Sequence, residues 1–360
     1  MSAATASSNS AATTPPLSYA AAVAPPCVAV RGRTLHIVFH SNCIDGWFSA
    51  FIARTGWARW AKYSDVVDVQ MWPISPNQEW TWPKAHRMRN AHVLLVDITV
   101  SAKCITLWEK TATSIYCIDH HLSAMPVWAE RPACCTLRTD RCAAWLAWEA
   151  FHPELPVPEW VALVDRIDRW CGVTNDDRAL RELMQTIANV AAKGHIDESM
   201  ERTSRFLMHH TSLSHRTELL ERGRILLAEK EASMDILFAR LPSSIVLLEE
   251  QHCEEWEVPS AWLGQKVFII ETTGASLDST EAAARIFSTQ TEINLFVSYR
   301  YKLYIRPDKS EERSIVYSAR AREGAGVDLT TSTVFAGHPC AAGGCKPLGE
   351  KPPAFLLSAA

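Results

Sequence analysis

The stretch IYCIDHH, residues 115–121, runs from apolar, β-prone side chains into one carboxylate and two imidazoles. A short apolar run bounded by polar residues is typical of a buried strand. Asp119, His120 and His121 would then lie where that strand ends. Ligands of open α/β sheets bind outside the carboxyl ends of the strands. The stretch is therefore a candidate functional site that needs partners from elsewhere in the chain.

Two earlier apolar stretches end in the same kinds of side chain. Residues 35–39 lead into a loop that carries His40 and Asp45, and residues 91–96 lead into Asp97. Further predicted elements are a strand at 66–71 and helices at 47–53, 101–110, 142–151 and 159–170, with Ser101 and Asp140 as caps. Strands that alternate with helices predict an α/β fold with a parallel sheet covered by helices on both faces.

Three clusters of acids and imidazoles would thus meet at one edge of the predicted sheet. Asp97 alone would more often be a cap or a turn residue than a ligand. Carboxylates crowded together repel one another, and their pKa values rise. Divalent cations remove that repulsion, and two of them would hold the whole set. Asp and His with little thiolate argue against a structural zinc site.

The predicted helix at 159–170 carries Asp165 and Asp168. Charges at helical spacing usually form a solvated face. This helix also has an apolar face, so an inward-pointing acid is an equally good interpretation, and the pattern does not say which acid it is. The amphipathic stretch 177–232 is a predicted helical connector. Three of its imidazoles have no acid or cysteine at ligand spacing and are predicted to lie on the surface; they are His209, His210 and His215.

A second region that mixes strands and helices follows. It has predicted strands at 244–248, 266–270, 294–304 and 314–319 and a predicted helix at 280–288. Arg320 follows the last strand, where it can pair with a phosphate or carboxylate. The small residues 337–344 are compatible with an anion-binding nest beside His338 or with a tight turn before a helix.

Composition sets limits on the class of protein. The chain has 360 residues, of which 48% are hydrophobic, so two domains are expected. A net charge of −4 gives no general basic field for a long nucleic acid. The 11 cysteines show no disulfide spacing, which predicts reduced thiols and a cytoplasmic protein. Residues 1–28 are predicted to be a disordered tail, and no apolar run is long enough to span a membrane.

Taken in order, the motifs resemble those of the DHH phosphoesterases, a superfamily that includes RecJ-type nucleases, oligoribonucleases and manganese pyrophosphatases. The resemblance covers residues 34–347. It is carried by HSNCIDG at 40–46, Asp97, DHH at 119–121, the acidic stretch 165–170, YSAR at 317–320 and GHPCAAG at 337–343. It implies a DHH domain at 29–180, a connector at 181–235, a mixed-sheet substrate domain at 236–347 and a tail at 348–360.

The resemblance also implies roles for individual residues. It implies two Mn²⁺ ions, with Mg²⁺ as the alternative, held by His40, Asp45, Asp97, His120 and Asp168. Asp97 would bridge the ions, and Asp165 is the reserve for Asp168. Asp119 would orient His120, and His121 would contact the scissile phosphate or assist the leaving group. Arg320, Gly337 and His338 would bind the substrate phosphate or its terminal nucleotide.

The sequence departs from the family pattern at two places. Cys43 lies near the position of a second aspartate in many relatives, although the branch with HGNCPDG in its first motif also has cysteine there. Residues 333–336 precede Gly337 where relatives carry several glycines. Bulky residues at a site of close backbone approach reshape a pocket. The second departure therefore bears on the choice of substrate more than on catalysis.

The leading functional hypothesis is a Mn²⁺-dependent phosphodiesterase that trims short oligonucleotides, mostly RNA, to mononucleotides. Its partner would be a short single-stranded oligonucleotide or a dinucleotide, with no membrane, and a homodimer is compatible. Other enzymatic hypotheses are hydrolysis of a cyclic or linear dinucleotide, and a polyphosphatase or pyrophosphatase activity. A hypothesis of another class is a non-catalytic member that binds nucleotides or a partner protein.

Overall fold

The structure is a computed structural model that describes residues 34–60, 68–76, 82–250, 258–305, 311–332, 336–338 and 340–347. The predicted tails, residues 1–28 and 348–360, lie outside the described residues. So do residues 333–335, which precede Gly337 where relatives carry glycines. Among the described residues, no helix combines the length and hydrophobicity needed to cross a membrane.

The first part of the chain alternates strands and helices, as predicted. The strands are β1 (Thr34–His40), β2 (Asp68–Ile74), β3 (His92–Val96), β4 (Ser114–Asp119) and β5 (Cys135–Leu137). The helices are α1 (Ile44–Trp60), α2 (Ala102–Glu109), α3 (Met125–Trp128), α4 (Ala143–Phe151) and α5 (Glu159–Arg169). Short 3-10 helices lie at Ala85–Met88, Leu122–Ala124 and Pro132–Cys134.

All five strands pair in parallel in the order β2-β1-β3-β4-β5, which confirms the predicted parallel sheet. Alternate residues of β1 point to opposite faces, as the period of a strand requires. Ile37 packs with α1, α4 and α5 in one apolar cluster, whereas Val38 packs with Ile105 of α2 and Trp128 of α3 in another. Helices therefore cover both faces, also as predicted.

The turn between β1 and α1 is tight, and it brings the first motif back over the end of β1. Asn42 has a left-handed φ of 59°, a conformation that asparagine tolerates better than most residues. A Cβ on Gly46 would overlap the carbonyl oxygen of His40. Glycine at 46 therefore permits the close approach that places the first turn of α1 beside His40.

Replacing Gly46 by alanine is expected to destabilise the fold by about 1–3 kcal/mol and to weaken cation binding, because the helix must move away from His40. Gly223→Ala is the matched control, since a Cβ there would overlap the Ala179 carbonyl oxygen at a helix crossing. It should lose comparable stability but keep cation affinity. Urea denaturation and cation titration measure the two effects, and equal losses of affinity would contradict the interpretation.

Three helices follow where the sequence predicts one helical stretch: α6 (Asn175–Ala192), α7 (Ile196–Thr211) and α8 (Leu213–Arg240). Gly194, with φ of 86°, lies between the first two. Leu180 and Met184 of α6 belong to the apolar cluster of the parallel sheet. The predicted boundaries at 180 and 235 fall within α6 and α8, and the division into domains stays a prediction.

The predicted surface position of His210 is wrong. Its side chain is buried, and its ring stacks on Phe206 at 5.7 Å between centroids. His215 is exposed, as predicted, and His209 is half-buried beside it. Amphipathic periodicity gives a helix its apolar face but not the neighbour that covers a polar residue at the edge of that face.

The second sheet is mixed, as predicted. Its strands are β6 (Ser243–Leu247), β7 (Lys266–Glu271), β8 (Ile293–Ile305), β9 (Glu311–Ala321), β10 (Ala336–His338) and β11 (Ala341–Pro347), and α9 (Ser279–Thr289) packs against it. Further 3-10 helices lie at Ser260–Trp262 and Leu329–Thr331. The strand order is β10-β11-β9-β8-β7-β6; β7 and β8 are parallel and the other pairs antiparallel.

The small residues at 337–344 do not form the predicted turn before a helix. Gly337 pairs with Ala342 and His338 with Ala341, so the described part of this stretch is an antiparallel hairpin. The extended pairing also departs from a nest, because successive amides of a strand point to opposite sides. Small residues suit this hairpin, since a Cβ on Gly343 would crowd the carbonyl oxygen of Tyr317 on β9.

Candidate metal centre

The ends of three parallel strands meet at one edge of the first sheet. His40 ends β1, Asp119 ends β4, and Asp97 follows β3 with a left-handed φ of 56°. The first turn of α1 adds Asp45, and α5 adds Asp168. The strand ends thus come together at the edge where the sequence placed them.

His120 lies at the middle of this cluster. Its Nε2 atom is 3.2 Å from Asp97 Oδ1, 3.5 Å from Asp45 Oδ2 and 3.5 Å from Asp168 Oδ2. The second carboxylate oxygen of Asp97, Oδ2, lies 3.4 Å from His40 Nδ1. The structure therefore brings together all five side chains predicted to be metal ligands, and their role as ligands stays a prediction.

The donor set fits two divalent cations. Three groups of described residues have ligand atoms within 4.8 Å of one another. Two of them share no residue: His40 with Cys43 and Asp97, and Asp45 with His120 and Asp168. The third, Asp97 with Asp119, His120 and His121, overlaps both. Asp97 Oδ2 and Asp168 Oδ2 are buried and accept no hydrogen bond of normal geometry from the described residues. Buried charges are normally paired or coordinate a metal. Asp97 contacts His40 and His120, one member of each of the two groups that share no residue, and its role as a bridging ligand stays a prediction.

The pKa values of two buried carboxylates, Asp45 and Asp97, are shifted in opposite directions. Burial, together with the charges of Asp97 and Asp168, raises the pKa of Asp45 well above its usual range. Burial would also raise the pKa of Asp97, but contacts with His120 and His40 hold it well below its usual range. The negative charge therefore concentrates on Asp97, the carboxylate that lies among the imidazoles of His40, His120 and His121.

The Asp45 carboxylate also caps α4. Its Oδ2 and Oδ1 atoms accept hydrogen bonds from the amides of Ala143 and Ala144, both at 2.7 Å. The predicted cap, Asp140, is wrong: it pairs with Arg138 instead. A carboxylate oxygen has two lone-pair sites, so an oxygen that accepts an amide proton can still bind a cation. The N-terminus of α4 thus fixes the orientation of Asp45 at the centre.

The two acids of α5 have separate tasks. Asp168 faces His120, whereas Asp165 Oδ1 accepts a hydrogen bond from the Cys142 amide at 2.7 Å. Asp165 Oδ2 is near the guanidinium groups of Arg141 and Arg169. Asp165 therefore fastens α5 to the start of α4, and of the two acids Asp168 is the one directed at the centre.

Asp119 contacts both histidines of the DHH tripeptide. Its Oδ1 atom lies 2.7 Å from His121 Nδ1 and accepts a hydrogen bond from the His120 amide at 2.7 Å. The carboxylate therefore holds the backbone of His120 and also the ring of His121, and its role in orienting the His120 ring stays a prediction. Thr99, which the sequence reasoning missed, donates to Asp119 Oδ2 at 2.8 Å and accepts from Trp128 Nε1.

In the protein without bound cations, burial lowers the pKa of His121, but the Asp119 carboxylate outweighs burial and raises it from 6.5 to about 10. A raised folded-state pKa adds stability that is present below pH 6.5 and lost as pH rises towards 10. Asp119→Asn should bring the His121 titration back towards 6.5 and flatten this stability loss. Histidine NMR and unfolding at several pH values measure both, and an unshifted His121 titration would contradict the pairing.

Hydrogen bonds fix the guanidinium group of Arg320, which lies on β9 of the second sheet. Its Nε and Nη2 atoms donate to Thr280 Oγ1 at 3.1 and 2.9 Å, and Nη1 donates to the Ala319 carbonyl. Burial lowers the pKa of Arg320 to about 10, against the opposing charges of Asp278 and Asp168. Asp168, on α5, is one of the two carboxylates whose charge favours the protonated guanidinium.

Gly337 and His338 lie in β10, and β10 is adjacent to the 3-10 helix Leu122–Ala124 that follows His121. The second sheet therefore approaches the DHH tripeptide through this strand. The side chain of His338 lies outside the described residues. The substrate-binding roles of Arg320, Gly337 and His338 stay predictions.

No family model matches the chain, and no curated protein matches it. Among solved structures, RecJ of Thermus thermophilus in complex with Mn²⁺ is 14% identical over 88% of this chain and 50% of that chain, with a TM-score of 0.43. A pGpG-specific phosphodiesterase, PggH, from Vibrio cholerae is 12% identical over 91% and 96%, with a TM-score of 0.38. An exopolyphosphatase-related protein from Bacteroides fragilis is 11% identical over 91% and 90%, with a TM-score of 0.43.

The described residues themselves define a two-sheet α/β protein with an acid and imidazole centre at the carboxyl ends of its parallel strands.

Proposed function

We propose that this protein is a divalent-cation-dependent phosphodiesterase that hydrolyses short oligonucleotides, with two Mn²⁺ ions as cofactor and Mg²⁺ as the alternative. The observation that carries the proposal is the meeting of His40, Asp45, Asp97, His120 and Asp168 at one sheet edge. Two of these carboxylates have a buried oxygen without a hydrogen-bond donor among the described residues. A cytoplasmic location and a homodimer remain predictions.

Each part of the site has a task in phosphodiester hydrolysis. Two cations, when bound, would make water more acidic and stabilise charge on the phosphate and on the leaving oxygen. Asp119 favours the protonated ring of His121, which can then donate a hydrogen bond or a proton to the leaving oxygen. Arg320 supplies a guanidinium whose planar donors match phosphate oxygens.

A short substrate fits the charge of the chain. Proteins that bind long nucleic acids do so through many Lys and Arg contacts with phosphates. Here the net charge is −4, and Arg138 and Arg166 are paired with acids. Cations and a few local donors such as Arg320 can bind one or two phosphates without a basic surface. We therefore expect the protein to bind one or two phosphates at the end of a short oligonucleotide.

A panel of substrates tests the proposal. The full chain with Mn²⁺ would be incubated with a linear RNA dinucleotide, a cyclic dinucleotide, pyrophosphate, polyphosphate and a long single strand of RNA or DNA. We expect fast loss of the linear dinucleotide and little loss of the others, and no loss with His120→Ala. Preferential cleavage of the cyclic dinucleotide or of polyphosphate would show that this compound, and not a short linear oligonucleotide, is the preferred substrate. No turnover of any substrate by a protein that holds cations would favour a non-catalytic binding role.

A further inference from the structure

Cys43 is turned towards the metal centre by the tight loop after β1. The left-handed Asn42 precedes it, and the carbonyl oxygen of Asn42 accepts a hydrogen bond from Gln185 Nε2 at 3.3 Å. The carbonyl oxygen of Cys43 accepts from the Trp47 amide at 3.0 Å, so Cys43 occupies the capping position directly before α1. These contacts fix the backbone on both sides of the thiol.

This backbone places the thiol among ligand atoms. Cys43 Sγ belongs to a group in which each ligand atom lies within 4.8 Å of the others, and the other members are His40 and Asp97. Asp97 is only 1% exposed, and its Oδ2 atom, which is turned to His40, has no hydrogen-bond donor of normal geometry among the described residues. A buried carboxylate oxygen in this state indicates that a cation belongs between these three side chains.

We infer that Cys43 is a cation ligand, so that the two halves of the centre differ chemically. One half would offer nitrogen, sulfur and a shared oxygen from His40, Cys43 and Asp97. The other half would offer oxygen and nitrogen alone from Asp45, His120 and Asp168. The inference rests on the metal centre of the proposed function and adds to it the choice of ion.

A thiolate ligand changes which cation the first half prefers. Thiolates favour Zn²⁺ and similar softer ions, whereas carboxylates suit Mn²⁺ and Mg²⁺. The half with Cys43 should therefore bind Zn²⁺, Cd²⁺ or Co²⁺ in preference to Mn²⁺. The other half should accept Mn²⁺ or Mg²⁺. A mixed pair of ions is then the expected state when both kinds are supplied.

Absorption spectroscopy of the metal-substituted full chain tests the inference. Metal-free protein would be titrated with Co²⁺ or Cd²⁺ while near-ultraviolet thiolate-to-metal charge-transfer absorption and bound ions are measured. The wild type should bind two ions and show the band. Cys43→Ser should lose the band and bind Cd²⁺ at least about 10-fold more weakly, because serine supplies no thiolate. The variant should still fold, because serine is a good residue for the capping position before α1. Cys104→Ser, a half-buried thiol on α2, should keep the band.

A second variant keeps the test decisive if Cys43→Ser folds poorly. Cys43→Asp should bind two ions without the band and should shift preference from Zn²⁺ to Mn²⁺ by at least about 10-fold. An unchanged band in Cys43→Ser or Cys43→Asp would overturn the inference. Two bound ions and no band in the wild type would overturn it while leaving the proposed function intact. No bound ion in the wild type would overturn both.

Discussion

Replacing Asp168 by asparagine is expected to lower Mn²⁺ affinity by more than about 100-fold, the upper loss typical of groups that only support a ligand. Phosphodiester cleavage should fall with it. The reason is geometric: Asp168 Oδ2 lies 3.5 Å from His120 Nε2 and has no hydrogen-bond donor among the described residues. An amide of the same size keeps the shape and removes the charge. Calorimetric titration with Mn²⁺ measures the loss of affinity.

The same helix offers a matched control, three residues earlier. Asp165→Asn removes an equal charge, but Asp165 holds the Cys142 amide at the start of α4. This variant should keep Mn²⁺ affinity and lose about 1–2 kcal/mol of stability, as expected for loss of a capping carboxylate. Equal losses of Mn²⁺ affinity in both variants would show that the charge of α5, rather than a specific ligand, matters to the centre.

Replacing Arg181 by methionine is expected to have the largest effect on stability. Arg181 is buried, with Nη1 at 2.8 Å from Glu182 Oε1 and Nη2 at 2.9 Å from Asp278 Oδ2. Removing one partner of a buried ion pair leaves an uncompensated charge and costs about 3–5 kcal/mol. Lys230 also contacts Glu182 and Asp278, so we expect the lower end of that range. Guanidinium denaturation measures the loss.

The Arg181 ion pairs also join α6, which packs on the first sheet, to the start of α9, which packs on the second sheet. Asp278 caps α9, and α9 carries Thr280, which holds Arg320. Arg181→Met should therefore reduce cleavage while leaving Mn²⁺ affinity unchanged. Arg224→Met is the control, because Arg224 forms an exposed pair with Asp176 on the same helices, worth about 1 kcal/mol or less. A stability loss no larger than that of the control would contradict the buried network.

The sequence predicted the features that depend on local pattern. Apolar runs before His40, Asp97 and Asp119 predicted parallel strands, and the carboxyl ends of such strands share an edge. The meeting of the acid clusters follows from that topology. The choice between Asp165 and Asp168 did not follow, because helical spacing is the same whichever acid is covered. The choice depends on which acid of α5 faces the start of α4, and in the structure this acid is Asp165, which accepts from the Cys142 amide.

Contacts between distant segments account for the predictions that were wrong. The cap of α4 is Asp45, about one hundred residues earlier in the chain, and no local pattern at Asp140 excludes that role. The hairpin at Gly337 forms because β11 pairs with β9, a contact that glycine content does not predict. His210 is buried because Phe206 lies beneath its ring. In each case a tertiary neighbour outweighs the local preference.

The most direct test of the central claim is anomalous diffraction from crystals of the full chain grown with Mn²⁺. We predict two manganese peaks, one coordinated by His40 and Asp97 and the other by Asp45, His120 and Asp168, with Asp97 shared between them. The same crystals grown with Zn²⁺ would show whether Cys43 joins the first ion. The absence of manganese at these side chains, or its presence only elsewhere, would contradict the account.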